Sequence, residues 1–410
     1  MNKISISTAV GVVAGLAVLA SSPVQATEGY FSNGYGAVNK SMAGAGVATG
    51  FDAMSQATNP AALTGVDSQF TVDLSVFSPH RSYQYIGGPG QDSDRNYFPI
   101  PGMAGAYKID SASAFGWAFY ANGGMNTTYP AAGPVPPSGG PFGGGKTGVD
   151  LGQAFLQFTY AREISSGVSV GISPVLAAQR FKAYGLSPAF DGMSTDAAHL
   201  SNNGYDWSYG YGGKFGLQAD VGSGISLGAS YQTKIFMTEF DKYAGLFAEQ
   251  GDFDIPSTIQ AGLAWDSGGG VIVALDYKRI NYDDVAAVSN SGTSGPLGAD
   301  TGAGFGWEAI NAYKLGMQFE ATPDLLLRAG VSYNDNPIPD TEVSFNILAP
   351  GVQKIHYTAG MTWKLDSSSA INIGAMYSPT NSVIGPFMMG GDAEIEMYQW
   401  EATVGWTWTF

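Results

Sequence analysis

The chain has 410 residues with 58 Gly, 44% hydrophobic and 13% aromatic side chains, and only 13% charged ones. Soluble domains average about 25% charge and roughly 7% Gly, so this composition points away from a soluble enzyme; the glycines keep no collagen period, and the apolar content exceeds that of unfoldable chains. A net charge of −16 opposes nucleic-acid binding, and the absence of cysteine excludes disulfide scaffolds, thiolate metal sites and cysteine nucleophiles.

The class that remains is all-β: a transmembrane β-barrel. In chain order, residues 1–26 read as a secretory signal peptide. Lys3 is followed by an apolar run from Ala9 to Ala20 and by Val24, Gln25 and Ala26 as a small-x-small cleavage pattern. That run is shorter than the roughly 20 residues a spanning helix needs. Residues 27–65 are rich in Gly, Ala and Ser and show no sustained alternation. Asn59, Pro60 and Ala61 mark a turn where this segment hands over to the first strand.

From about Gln69 the pattern is period two, the signature of strands. Tyr398, Trp400, Ala402, Val404, Trp406, Trp408 and Phe410 share one face, against Gln399, Glu401, Thr403, Gly405, Thr407 and Thr409. Ile355–Leu365 and Trp207–Gln218 repeat the pattern. Short turns at 110–113, 164–167, 221–224, 266–270, 321–324 and 366–369 alternate with long segments near 86–96, 130–147, 186–203, 237–254, 285–305, 334–351 and 379–396. Six turns and seven loops require 14 strands over residues 66–410, with the short turns periplasmic and the long loops extracellular. Tyr107, Tyr160, Trp265, Tyr277, Trp363 and Trp408 are expected as interfacial anchors. A barrel of this width is either an open channel or plugged, and residues 27–65 suit a compact hatch inside it. The other reading, a disordered periplasmic tail, would carry more charge.

The blocks EGYFSNGYGAVNKSMAGAG at 28–46, NPAAL at 59–63, FGWAFYANGG at 115–124 and RAGVSYNDNPIPD at 328–340 resemble the FadL/TodX family of outer-membrane fatty-acid and hydrocarbon transporters. The resemblance implies a monomeric 14-stranded antiparallel barrel in the outer membrane of a Gram-negative bacterium, plugged by its N-terminal hatch. It implies passive uptake of hydrophobic molecules, captured by outer loops, passed to a lumen pocket and released sideways through an inward kink in the third strand. Expected partners are a hydrophobic small molecule, lipopolysaccharide and outer-membrane lipid, and the barrel assembly machinery, which the terminal aromatic Phe410 would address. No cofactor and no metal are expected.

Three sets of residues then stand as candidates. In the fourth loop Phe236, Met237, Phe240, Tyr243, Leu246 and Phe247 fall at near-helical spacing and form an expected exposed capture stripe, with Phe190 and Met193 of the third loop beside it. Loop-on-loop packing is the alternative. Ala121 to Gly124 interrupt the alternation of the third strand, so a lateral gate is expected at Asn122, Gly123, Gly124 and Met125, against simple barrel curvature. For a ligand carboxylate, Arg180 and Lys182 are expected in the lumen if Pro174 shifts its strand's parity, together with Arg328, which sits opposite Leu327 and Ala329. Any of these cations can equally be a structural partner of a lumen acid.

The rivals are a general diffusion porin, which lacks such a plug, and a barrel enzyme. Of the three histidines, His80 and His199 lie in loops or at a loop edge, and none of the three, His356 included, has the neighbours of a base, so no catalytic residue is named. GGGKT at 143–147 lacks the strand-to-helix setting of a phosphate loop.

Overall fold

The computed structural model describes residues 28–132, 135 and 138–410; the expected signal segment and Thr27 lie outside the described residues. Where the sequence alternates, the backbone is extended and successive side chains face opposite sides. The strands are β1 (Gln69–Tyr85), β2 (Phe98–Lys108), β3 (Ser113–Tyr129), β4 (Thr147–Ser165), β5 (Val168–Tyr184), β6 (Asp206–Gly222) and β7 (Ile225–Gln232). They continue as β8 (Thr258–Asp266), β9 (Val271–Ile280), β10 (Ile310–Thr322), β11 (Leu325–Asn334), β12 (Ile355–Lys364), β13 (Ser369–Pro386) and β14 (Asp392–Thr409). Each pairs antiparallel with its neighbour, and β14 returns to β1 in a ladder from Gln69↔Thr409 to Tyr85↔Ala393, which closes the barrel.

All six short turns fall where the Asp, Ser and Gly clusters place them. The last expected long loop does not form. Residues 379–396 are mostly strand, and β13 and β14 meet at a tight turn over 387–391. Pro379 and Thr380 are absorbed by a bulge between Ser378 and Asn381, after which pairing resumes. Ala393, Ile395 and Met397 are buried on the inner face of this hairpin, and residues 340–346 pack against it.

Large apolar side chains face outward, as on Leu176, Leu217, Leu275 and Leu315, where lipid covers what water would penalise. Tyr107, Tyr160, Trp265, Trp363 and Trp408 are exposed at the short-turn end, the position of an interfacial girdle. Tyr277 lies toward the other end and is half-buried, its hydroxyl donating to Asn311 Oδ1 at 2.7 Å.

The inward faces are polar yet buried, because residues 28–66 occupy the space they surround. Ala37 N–H donates to Asp73 of β1 (2.9 Å), and Lys40 pairs with Glu401 of β14. Gly46 and Val47 N–H both donate to Asp276 of β9 at 2.8 Å, and Thr64 Oγ donates to Ser169 of β5 at 2.8 Å. Ala37, Ala43, Ala45 and Ala48 are fully enclosed, which the small-residue composition permits.

Candidate functional site

Asn59 ties the inner segment to the wall. Its Oδ1 accepts from Ala61 N–H (3.0 Å), capping the helical turn Pro60–Gly65, while its Nδ2 donates to Val47 O (2.6 Å) and to Leu217 O of β6 (3.0 Å). The wall makes room for it at Gly216, where a Cβ would come within 2.0 Å of Asn59 Oδ1.

The start of the segment is held by charge. Glu28 is fully buried between Lys278 (2.8 Å) and Lys314 (2.5 Å), and Lys314 also donates to Asn33 O at 2.6 Å. Burial pushes the Glu28 carboxyl up, but the two ammonium groups together draw it below the usual carboxylate range. Tyr30 and Phe31 pack on Tyr282, with ring centroids 5.1 and 5.7 Å away, and Tyr30 also packs on Trp307.

The wall is interrupted at β3. Pairing of β3 with β4 passes from Ala121↔Ala154 to Gly123↔Gln153, so Asn122 is an extra residue. Pairing of β2 with β3 ends at Met103↔Phe119, whereas β2 stays paired with β1 as far as Phe77↔Phe98. The freed edge of β3 is taken by the N-terminal segment: Ser32 N–H donates to Asn122 O and Gly124 N–H donates to Tyr30 O, both at 2.9 Å. Tyr35 hydroxyl donates to Asn122 Oδ1 at 3.1 Å, and Asn122 Nδ2 donates to Gln153 Oε1 at 3.2 Å. A Cβ on Gly123 would sit 1.9 Å from Tyr30 O, so only glycine allows this approach.

Two crevices meet at the interruption. An inner one is lined by Tyr35, Lys40, Met54, Asp73 and Tyr120, and an outer one by Phe119, Gln153, Ala154, Arg180 and Trp207. Both include Ile100, Pro101 and Ala121. The sequence held a signal for this that its strand pattern hid: Pro99 and Pro101 of β2 have no N–H to give a ladder, and proline is tolerated where a strand edge is unpaired.

The loop aromatics differ from expectation. Phe240, Tyr243 and Phe247 are buried, with ring centroids 5.7, 4.8 and 4.7 Å from Phe181 of β5, and Phe190 is buried against Phe142 and Phe345. Met237 is buried and Leu246 half-buried, which leaves Phe236 and Met193 as the exposed members. No helix carries the stripe; one short turn spans Asp241–Tyr243, and loop-on-loop packing has satisfied the apolar faces. Under these loops a narrow apolar crevice opens between Phe181, Leu246, Phe247, Leu297, Phe305 and Leu348.

The cations divide. Arg328 faces inward as expected and is bound, Nε to Gln318 Oε1 at 2.8 Å and Nη1 to Thr362 Oγ1 at 2.7 Å. Arg180 and Lys182 do not face the lumen. Val175, Ala177 and Phe181 are the buried inner residues of β5, while Leu176 on the parity of Arg180 is half-exposed to lipid. Pro174 introduces no shift, because β5 keeps one register with β6 from Val168↔Ala219 to Phe181↔Asp206. Arg180 and Lys182 instead stack on the Tyr205 ring, 4.7 and 4.4 Å from its centroid.

A closed 14-stranded membrane barrel with a folded N-terminal segment inside it defines an outer-membrane transport protein. Residues 17–384 match the family model described as outer membrane protein transport protein (OMPP1/FadL/TodX), and the chain belongs to that family. Among solved structures the barrel is similar to the toluene transporter TodX of Pseudomonas putida, with TM-score 0.71 at 20% identity over 94% of this chain and 100% of that one. It is similar to the toluene transporter TbuX of Ralstonia pickettii (TM-score 0.67, 17% identity, 92% and 99% covered) and to a FadL homologue of Pseudomonas aeruginosa (0.68, 14%, 93% and 100%). No curated protein matches the chain in sequence.

Proposed function

We propose that this chain is a passive channel for hydrophobic small molecules that takes them in beneath its extracellular loops and releases them sideways into the membrane between β2 and β3. The observation that carries this reading is the interrupted wall: the β2–β3 ladder stops at Met103↔Phe119, and crevices inside and outside the barrel share Ile100, Pro101 and Ala121. Lipopolysaccharide presents a charged layer that apolar solutes cross poorly, and a chain of weak apolar sites replaces that barrier. The crevice at Phe181, Leu246 and Phe247 serves as the first such site, with Phe236 and Met193 at its approach. Residues 28–66 fill the lumen beside the interrupted ladder, which favours a side exit over an axial one. The solved transporters of similar fold are described as toluene channels, and an apolar solute of that class suits this lining. The same reading has the chain working as a monomer among lipopolysaccharide and outer-membrane lipid, delivered by the assembly machinery, and performing no reaction.

The test is uptake of labelled toluene and labelled oleate by cells that lack their own transporter and express either this chain or a form with Asn122 deleted. Deleting the extra residue restores one-to-one pairing between 113–129 of β3 and 147–162 of β4 and removes the bulge. Loss of uptake with the barrel still folded supports the side exit, and transport at the wild-type rate overturns it. Large, steady single-channel currents from the wild type would replace this reading with a diffusion porin.

A further inference from the structure

The two cations that turn away from the lumen do not lie alone on the outside of the wall. Asp150 of β4 stands opposite Lys182 of β5, and Arg180 of β5 stands opposite Trp207 of β6, all on the outward face. Along β5 that face carries Ile172 and Leu176, exposed to lipid, before it reaches Arg180 and Lys182 near the long-loop end. On β6 beside them Trp207, Tyr209 and Tyr211 are exposed. Trp and Tyr gather where hydrocarbon meets headgroups, and the long-loop end of such a barrel faces the outer leaflet. The cations therefore sit at the depth of the outer headgroups.

This cluster carries more positive charge than its own acid balances. Asp150 is buried and its carboxylate is shared: Oδ2 accepts from Arg95 Nη1 at 2.9 Å and from the Tyr205 hydroxyl at 2.8 Å, and Oδ1 lies 4.0 Å from Arg180. Lys182 lies over aromatic rings instead, 4.4 Å from the centroid of Tyr205 and 5.8 Å from that of Tyr184. Among the described residues no ion pair includes Lys182. Asp206, the next acid along, accepts from the N–H groups of Trp207 and Lys242. The Arg95 side chain is 40% exposed and Lys182 is half-buried, so both present charge at the surface above the enclosed Arg180. Three cations against one carboxylate reverse the sign of a chain that otherwise has 34 acidic and 18 basic side chains. Such a basic patch beside interfacial aromatics is complementary to an anionic headgroup.

We propose that this face binds a phosphate of the lipopolysaccharide headgroup, with Lys182 and Arg95 as the contacting cations and Arg180 supporting the Tyr205 ring on which Lys182 rests. The acyl chains run down the outward apolar face of β5, over Leu176 and Ile172. Arg180 and Trp207 also line the outer crevice, so the bound lipid flanks that opening. The site requires only that the long-loop end face outward and does not depend on the side exit.

The test is binding of lipid A, the phosphorylated anchor of lipopolysaccharide, and of the same lipid stripped of its phosphates to the purified full chain in nonionic detergent. Native mass spectrometry reads the bound lipid, and heat-modifiable gel mobility checks folding. Wild type is expected to hold the phosphorylated form about tenfold tighter or more. Lys182→Gln is expected to weaken that form by about fivefold, the loss of one cation at an anionic headgroup, and Lys182→Glu to abolish the preference. Neither change touches the pairing of Asp150 with Arg95 and Tyr205, and Lys182→Gln keeps the test decisive where Lys182→Glu does not fold. Arg279 also faces outward at the long-loop end, on β9, where it bonds Asn281 and Asn311, and Arg279→Gln is expected to leave the preference unchanged. Equal wild-type binding of the two lipids, undiminished binding by Lys182→Gln, or a preference that survives in a folded Lys182→Glu protein overturns the proposal. An equal loss in Arg279→Gln overturns it too, because the attraction is then diffuse. Displacement of the lipid by millimolar inorganic phosphate assigns the face to a free anion and likewise overturns it.

Discussion

Two stretches of the same wall behave differently. From β10 to β12 the ladders run the length of the wall with one irregularity, at Ala321 beside the short turn, and the inner residues simply support the segment within, as Thr358 Oγ does by donating to Ser41 O at 3.0 Å. From β1 to β3 the middle strand is short, its ladder to β3 stops partway, and the N-terminal segment supplies the missing partner. A regular wall is a container. The proposed side exit lies at the wall with the unfinished ladder, and that part of the wall depends on a segment distant in sequence.

The strongest way to break this contrast is Gly123→Arg. The side chain collides with Tyr30 O and fills the gap, so uptake falls to that of cells lacking the protein while the barrel folds; an equivalent glycine-to-arginine change at Gly316 of β10 is expected to disturb only the contact with Met42. Wild-type transport by Gly123→Arg would remove the distinction.

Next in size is Glu28→Gln, which leaves Lys278 and Lys314 enclosed without their anion. Breaking a buried pair in this way costs about 3–5 kcal/mol. Hydrogen exchange is expected to quicken over residues 28–33 and not in β10–β12; no change at the segment would mean that charge does not hold it.

Phe240→Ala sharpens the same contrast at the loops. Truncating this buried ring costs about 3–5 kcal/mol of local packing, seen as faster proteolysis of the loop after β7, whereas Phe236→Ala, at an exposed ring, leaves cleavage unchanged. If the two behave alike, the fourth loop is a loose capture arm and not a packed lid.

The smallest effect is a pH dependence. Burial pushes the Asp52 carboxyl up to about 6, with Arg328 and the Met54 and Ser55 N–H groups opposing the rise. A carboxyl whose folded pKa is raised holds its proton longer in the folded than in the unfolded state. Ionisation therefore loosens the docked segment as pH climbs from about 4 to about 6, and it changes little above that. Exchange around residues 52–58 is expected to quicken across that window in wild type and to be flat in Asp52→Asn.

Much of this was legible from residue order alone. The period-two alternation of β6, β12 and β14 assigned inner and outer faces correctly, because each residue's side is set by its neighbours one bond away. The six turns and the strand count followed from the same local chemistry. Helical spacing describes a stripe and is silent about what covers it, so residue order leaves an exposed stripe and loop-on-loop packing both open; Phe181 covers Phe240, Tyr243 and Phe247, while Phe236 and Met193 stay exposed. Arg180 and Lys182 were turned inward by a parity shift at Pro174 that the ladder does not contain.

What the sequence by itself determined is a membrane barrel of 14 strands with a small-residue segment suited to its interior. Only the tertiary structure decided what takes the freed edge of β3 at that expected interruption and which group partners the enclosed lysines. Those facts belong to pairs far apart in the chain, such as Tyr30 with Gly124 or Glu28 with Lys314, and a property shared between distant segments exists only once the ring has closed around what it contains.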